Sequence, residues 1–499
     1  MNSNLSASEV FKLIGGHSSA DCYARPANEV YAGAIRLESG FYGSDGYRAV
    51  RAMKKSGFRL GTVGQFAKVR WFGPFARTYV ADRTAGVAFL SSADMLCAKL
   101  EPKNYLSKEL TRNLERLLVS EGTILISCSG TIGNVVMCSK DYNNVAVSQH
   151  AIRVNALDEA DMGFLYAYLQ SEPGQFLLTR NKSGSVIESI YEADVSNLTI
   201  PVLPIALRQE LSHLIRKANT HRVKANALLD KAEAELKATC NLPDTSEFAP
   251  DNLIKTDSEA AIFSWKLTQR LAMNCQFGML RMDATYHDPT ACDLAKHILN
   301  KGGVTLGDVL LNVRSSSLRK RHYIDEPSQG AQIIGGKQLM QLRPTEVKYL
   351  SKIMVRNIKN EMIDEDTVIV SCFGTIGRTL LIHQNYEGWC ASQNVMKLTP
   401  NKNKVFSGYI YAFLASLFGQ MQIQRLAHGS VIQFIRDFEF KSIALPIPLD
   451  KGESIHNKVV EAFDARADAR LAEDKAIALF MSAIRDGKAA VESKWEKDY

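Results

Sequence analysis

Ser127-Cys128-Ser129-Gly130-Thr131-Ile132-Gly133 returns 244 residues later as Ser371-Cys372-Phe373-Gly374-Thr375-Ile376-Gly377. Aligned without a gap, residues 120–154 and 364–398 share 11 identities in 35, against roughly 2 expected at average composition. The register then holds along the chain. Leu60-Gly61 matches Leu306-Gly307, Ser148-Gln149 matches Ser392-Gln393, and Gly184-Ser185-Val186-Ile187 matches Gly429-Ser430-Val431-Ile432. Pro201 matches Pro446, and Arg36-Leu37-Glu38 matches Arg281-Met282-Asp283. Two units of about 245 residues therefore account for nearly all 499, and the chain is a tandem duplication. Two similar surfaces on one chain predict a target in two parts.

Each unit is long enough for a globular domain plus one extended element. A net charge of +7 with a pI near 8.8 permits a nucleic-acid partner without requiring one. The nine cysteines are scattered with no C-x-x-C pair, which argues against a zinc module and against a disulfide framework. Cys128 and Cys372 fall in apolar runs and read as small buried side chains. No apolar run reaches membrane-spanning length and Met1 to Gly15 lacks a signal-peptide pattern, so the sequence predicts a cytoplasmic protein without a membrane partner.

Thr123-Ile-Leu-Ile-Ser127 is a short run of strand formers punctuated by Gly130 and Gly133, which predicts strand–turn–strand. Val135–Met137, Val145–Val147 and Ala151–Val154 read as further short strands, and Phe164 to Gln170, like Tyr409 to Ala415, as helix. Past Pro201 and Pro204 the pattern changes. Apolar residues at 207, 211, 214, 218, 225, 228 and 232 alternate in steps of four and three, with His221 in the one polar slot and no Gly or Pro between 205 and 242. That is a helix of about 30 residues with a heptad seam, which can pack on its own domain but is better suited to pairing with another helix. A second one over 453–486 is less regular: Ile455, Val459, Ala462, Ala469, Ala476, Phe480 and Ala483 fit, but Arg466 and Glu473 fall on its seam. The expected segments are 1–57 as a lead-in, 58–205 and 304–449 as mixed α/β domains, and 206–240 and 450–499 as helices. Residues 241–303 serve as linker and second lead-in. The fold class is α+β, in duplicate.

Catalytic constellations are missing. There is no G-x-x-x-x-G-K-[ST], no Asn-Pro-Pro-Tyr-like motif for holding a flipped adenine, no H-E-x-x-H and no G-x-S-x-G. Ser127 and Ser371 lack a shared base, since His150 is replaced by Asn394. Neither catalytic nor metal-binding residues are assigned, and no cofactor is expected.

Charge points elsewhere. Arg314-Ser-Ser-Ser-Leu-Arg319-Lys320-Arg321-His322 is a donor-rich basic loop. Its counterpart, Lys68-Val-Arg70-Trp71-Phe-Gly-Pro-Phe-Ala-Arg77, is basic with aromatics interleaved. Basic residues at one place in both repeats, within otherwise divergent sequence, suggest DNA contact. The Gly-Thr-Ile-Gly turn needs positive φ and leaves room for a backbone to approach a phosphate. Candidate DNA-binding residues are thus Lys68, Arg70, Arg77, Gly130, Thr131, Gly133, Lys182 and Ser185 in the first copy. In the second they are Arg314, Arg319, Lys320, Arg321, Gly374, Thr375, Gly377, His428 and Ser430. Candidate partner-binding residues on the helices are Leu207, Leu211, Leu214, Leu228, Ile455, Val459 and Phe480.

Together these blocks resemble the specificity (S) subunit of Type I restriction–modification systems. The resemblance covers about 36–486 and rests on the twin S-C-x-G-T-I-G blocks, the Ser-Gln and Gly-Ser-Val-Ile segments after them, and Leu198-Thr-Ile-Pro201-Val-Leu-Pro204 running into Leu207-Arg-Gln-Glu-Leu211. Arg281-Met-Asp-Ala-Thr-Tyr286 is similar to a lead-in of such subunits. The resemblance implies two target recognition domains, each reading half of a split site on double-stranded DNA. The two helices would form an antiparallel coiled coil that spaces them. It also implies two DNA adenine methyltransferase subunits and room for a translocating restriction nuclease subunit. Asp450-Lys-Gly-Glu departs from Leu207-Arg-Gln-Glu, which leaves the docking of the second helix open. The competing readings are a recognition subunit of another methylation-based phage-defence system, a tandem-repeat scaffold binding only proteins, and a stand-alone nuclease.

Overall fold

The computed structural model describes residues 45–180, 189–243, 253–255, 262–264, 281, 283–316, 321–355 and 357–495. They fall into two compact units. Unit 1 takes the chain up to Met95, Leu100–Thr220 and everything from Ala469; unit 2 takes Leu96–Lys99 and His221–Asp468. This division differs from the segments read off the sequence, because each long helix is shared between the units instead of forming a segment of its own.

Unit 1 holds two four-stranded sheets. The first runs Ala67–Arg70, Ala151–Ala156, Ile124–Ser127, Val135–Met137, all antiparallel. The second runs Asn104–Ser107, Gly86–Leu90, Val145–Val147, Leu118–Val119, with its middle pair parallel. Ile124, Leu125 and Ile126 are wholly buried, which is why that strand reads as a continuous apolar run instead of an alternation. The helix Glu159–Gln170 is apolar all round over Phe164–Leu169, and all six of those residues are buried. Leu60–Thr62 and Thr199–Pro201 close the unit as a separate antiparallel pair. The helix Asp45–Lys55 precedes these strands, and its Met53 is wholly buried in the core of this unit.

Unit 2 repeats the plan. Leu310–Ser315, Val395–Pro400, Val368–Ser371 and Thr379–Leu381 form one sheet; Tyr323–Ile324, Lys348–Ser351, Gly330–Ile334 and Cys390–Ala391 form the other. Val304–Thr305 pairs with Ala444–Leu445 as the closing ribbon. Ser407–Ala415 is the buried helix. A short hairpin, Leu253–Lys255 with Ile262–Ser264, precedes these elements.

The long helices are Ile205–Thr239 and Glu453–Asp486, and they pack antiparallel within each unit. In unit 1 Leu207, Leu211 and Ile215 share a core with Ala476, Phe480 and Ala483, while Ala218 meets Ala469 and Ala472. In unit 2 Lys224 pairs with Glu461 at 2.8 Å and Glu235 with Lys458 at 2.7 Å. The predicted seam needs a correction of phase. The buried positions are 207, 211, 212, 215, 218, 219, 222, 225, 226, 229, 232 and 236. Ile215, Arg222 and Leu229 replace Leu214, His221 and Leu228, which are only half-buried. The cause is geometric: the helix lies against its domain as well as against its partner helix. The buried stripe is therefore broader than a two-position seam and centred one residue further on. Glu473, expected to disrupt the second seam, is wholly buried and accepts a 2.5 Å hydrogen bond from the Tyr166 hydroxyl.

The way each long helix docks also resolves the missing Leu-Arg-Gln-Glu. In unit 1 the Gly163 N–H donates to Ser212 Oγ at 2.9 Å, and Arg208 pairs with the buried Asp161. A Cβ on Gly163 would lie 2.4 Å from the Ser212 backbone, so only glycine lets the helices approach this closely. In unit 2 Gly408 plays the same part, and its N–H donates at 3.0 Å to His456 Nδ1. An imidazole replaces the serine, and Phe406 stacks on it with centroids 5.0 Å apart. Burial holds His456 below its ordinary pKa, which keeps Nδ1 free to accept.

Candidate nucleic-acid interface

The S-C-x-G-T-I-G segment is a hairpin loop whose serine and second glycine are wired alike in both units. Ser127 Oγ donates to Thr131 O at 2.5 Å and accepts from Asn134 N–H at 2.9 Å, while Gly133 N–H donates to Ser127 O at 3.0 Å. Ser371 repeats this with Thr375 O at 2.6 Å, Arg378 N–H at 2.8 Å and Gly377 N–H at 3.0 Å. The serines are thus structural, with both roles of the hydroxyl used inside the turn. Gly130 and Gly374 have φ of 75° and 73°, and Gly133 and Gly377 both have 91°. Behind the turn, Gln175 Nε2 donates to Gly133 O at 3.0 Å and Gln420 Nε2 to Gly377 O at 2.8 Å. Cys128 and Cys372 sit beneath, and burial pushes their thiols up to about 11 and about 12, so neither is a thiolate at neutral pH.

What the turn presents outward is Gly130-Thr131 in one unit and Gly374-Thr375 in the other, all four exposed. Among the described residues neither threonine N–H has a hydrogen-bond partner, so each can meet an anion.

The surroundings differ between units. In unit 1, Trp71 Nε1 donates to Gln149 O at 2.8 Å and Arg77 Nη2 to Gln149 Oε1 at 2.8 Å. Tyr191 meets Trp71 edge-on at 5.4 Å, and the Arg77 guanidinium lies over Phe89 at 5.3 Å. In unit 2 the turn bears Phe373, stacked on Phe434 at 5.7 Å, and Arg436 lies over Phe434 at 5.7 Å. The loop from His428 to Phe434 is an exposed hairpin joined to the turn by Gly374 N–H to Gln433 O at 2.9 Å. At its tip Val431 is 93 % exposed, and Gly429 at φ 115° has no room for a Cβ, which would meet Ile432 O at 2.3 Å.

Beside each turn lies a pair of cross-strand cations. Arg70 faces Arg153, and Arg314 faces Lys397, at the same repeat offset. The outer member of each pair is exposed and the inner one buried. Arg153 donates to Ala151 O, Val147 O and Leu117 O, tying the two sheets together at a corner; burial pulls its pKa down to about 10. Lys397 donates to Asn360 O at 3.0 Å and is lowered by burial first and by Arg314 second.

A family model for the Type I restriction modification DNA specificity domain matches residues 93–212 and 304–480, more than half of the chain. The chain belongs to that specificity family. Among solved structures it is similar to the S subunit of a Type I restriction–modification system from M. genitalium, at 13 % identity over 85 % of this chain and 96 % of that one, TM-score 0.29. It is similar also to the HsdS subunit from Thermoanaerobacter tengcongensis, at 15 % identity over 86 % and 96 %, TM-score 0.26. Overlaps this loose place no residue. No curated protein matches. Among the described residues, no helix is long and apolar enough to cross a membrane.

In this specificity chain, Lys68, Arg70 and Arg77 lie exposed in unit 1 and Arg314 in unit 2, with Lys68 opposite Asn155 at the end of the sheet away from the turn. Arg321 is half-buried, its guanidinium 3.2 Å from the Tyr323 hydroxyl, and Ser430 is exposed. Lys182, Ser185, Arg319 and Lys320 lie outside the described residues. Three candidates are corrected. Gly133 and Gly377 are buried in the turn, against Gln175 and Gln420, and their place is to shape it. His428 is turned inward, 3.2 Å from Leu426 O and 3.5 Å from Glu439. On the helices, Leu207, Leu211, Ile455, Val459 and Phe480 are all at most 2 % exposed, consumed by packing within the chain and closed to another subunit. Leu214 and Leu228 are half-buried. The sequence reading passed over Gln149, although Ser-Gln recurs in both copies; its identity across the offset was the available signal.

Proposed function

We propose that this chain is the DNA specificity subunit of a Type I restriction–modification complex. Each unit reads one half of a bipartite site, and the paired helices set the separation. DNA adenine methyltransferase subunits, two in number, supply the chemistry, and a translocating restriction nuclease completes the complex. One observation carries the reading. The turn, its two glycines and the hydrogen bonds of its serine are the same in both units, whereas the basic and aromatic residues beside it differ: Trp71, Arg77 and Tyr191 in one, Phe373, Phe434 and Arg436 in the other. A common frame with different reading edges suits two different half-sites, since base edges carry sequence and backbone contacts carry position. Membership of the specificity family supports the same reading. The test is to exchange residues 58–200 for the same segment of a relative and sequence the host's methylome. One half of the methylated motif should change and the other stay. A change in both halves, or in neither, refutes the two-reader arrangement.

A further inference from the structure

The offset of 244 brings a second set of identities into line. Tyr105-Leu106-Ser107-Lys108, followed by Arg112-Asn113, matches Tyr349-Leu350-Ser351-Lys352, followed by Arg356-Asn357. Packing explains part of it. Leu106 and Leu350 are wholly buried, and Ser107 and Ser351 each accept a 3.1 Å hydrogen bond from the N–H three residues on. Asn113 and Asn357 occupy left-handed backbone at φ 54° and 59°, where asparagine is favoured.

Packing does not explain the cations. Lys108, Arg112 and Lys352 are exposed. Arg112 and Lys352 have no side-chain partner among the described residues, and Lys108 Nζ donates only to Thr84 O, at 2.8 Å. Arg356 lies outside the described residues.

Position gives the cations a meaning. Ser107 N–H donates to Thr78 O at 2.8 Å, one residue beyond Arg77, and Ser351 N–H donates to His322 O at 2.9 Å, one residue beyond Arg321. In each unit the retained turn therefore abuts the basic segment that differs between the copies. A surface kept by both units meets something that is the same at both half-sites, and the sugar–phosphate backbone is the same where the bases are not. The turn apex argues against a shared protein partner. Leu110 and Met354 are both exposed and apolar, but their neighbours are Glu109 in one unit and Ile353 in the other, which no single protein surface would suit.

We propose that these two turns are sequence-independent phosphate clamps flanking the half-sites, through Lys108 and Arg112 in unit 1 and Lys352 in unit 2. The proposal rests on the DNA-recognition reading above. The test uses the full-length chain in its methyltransferase complex, with one duplex carrying its methylated motif and one of scrambled sequence. Removing one cation from a phosphate lowers the slope of log affinity against log salt by about 0.9, so the double variant Arg112→Gln, Lys352→Gln should lower it by about 1.8. The drop should be equal on both duplexes, with the methylated sequence unchanged. The charge-keeping variant Arg112→Lys, Lys352→Arg should restore the slope, which separates loss of charge from misfolding.

An unchanged slope, while the wild type still prefers its motif, overturns the clamps alone. A wild-type complex with no preference for its motif overturns the DNA reading and the clamps with it. A changed motif would make these residues readers of bases. Intact DNA binding with loss of the methyltransferase subunits would make the turns a protein dock. Either result overturns the proposal.

Discussion

The paired helices can be tested as a spacer by lengthening them where the units meet along the chain, after Thr220 in one and after Asp468 in the other. Both must be extended, because the helices are antiparallel and pack in each unit: an insertion in one alone would slip its buried stripe past Ala469, Ala476 and Phe480. Four residues in each add about 6 Å at about 1.5 Å per residue and overshoot one turn by about 40°. At about 3.4 Å per base pair, 6 Å corresponds to a little under two base pairs. Two base pairs rotate the duplex by about 70°, so the added twist of protein and DNA agrees only in part. Some affinity should be lost, but the half-sites should be read unchanged. Methylome sequencing of a host carrying the variant should show both half-sites intact with the gap widened by one or two base pairs. Full methylation at the original spacing would refute the idea that the helices set the distance, provided the variant is shown by circular dichroism to have gained helix.

Other outcomes follow from packing and titration. Gly163→Ala places a Cβ 2.4 Å from the Ser212 backbone and should destabilise unit 1 by about 1–3 kcal/mol in urea unfolding, as overpacking does. A wild-type midpoint would show that the helix does not press on this glycine. Ser127→Ala strips the turn of a donor and an acceptor and should cost about 1–3 kcal/mol. Where the complex still assembles, methylation should persist; its abolition in a folded variant would reopen a chemical role for the serine. Burial lowers the folded-state pKa of His456, so unfolded chain binds the proton more readily. Its contribution to stability is full above about pH 6.5, the unfolded value, and is lost as pH falls through the folded value. His456→Gln should flatten the loss of unit 2 stability as pH falls below about 6.5; identical pH profiles for variant and wild type would contradict this.

The turn was legible because its chemistry is local. Glycines at positive φ, flanked by strand formers, announce themselves in any sequence, and duplication printed the pattern twice. The helices were legible in extent but not in phase. Leu214 beside Ile215, and Leu228 beside Leu229, give two apolar choices one residue apart, and periodicity cannot tell which faces inward when two surfaces compete for the stripe. Asn219 and Glu473 were invisible as buried residues because their hydrogen-bond partners are distant in the chain. Asn219 Nδ2 donates to Cys138 O, and Tyr166 lies 307 residues from the Glu473 it bonds. The cross-strand cations Arg70–Arg153 and Arg314–Lys397 went unread for the same reason, since strand register is set by pairing and not by either strand alone.

The sharing of the long helices has a consequence for how the protein is made. The core of unit 1 contains Ala476, Phe480, Ala483 and Val491, which leave the ribosome long after Thr220 does. At about 5–20 residues per second, roughly 13 to 52 s separate synthesis of Thr220 from that of Phe480. Throughout that interval Leu207, Leu211, Phe164 and Tyr168 have no Phe480 to pack against, although the aromatic contacts at 6.2 Å and 5.8 Å will eventually cover them. Unit 1 is thus completed by a segment that follows His221–Asp468 of unit 2 in the chain. A nascent chain of this protein therefore carries an apolar stripe left uncovered until Phe480 is made, and a premature stop anywhere before residue 476 leaves that stripe open for good.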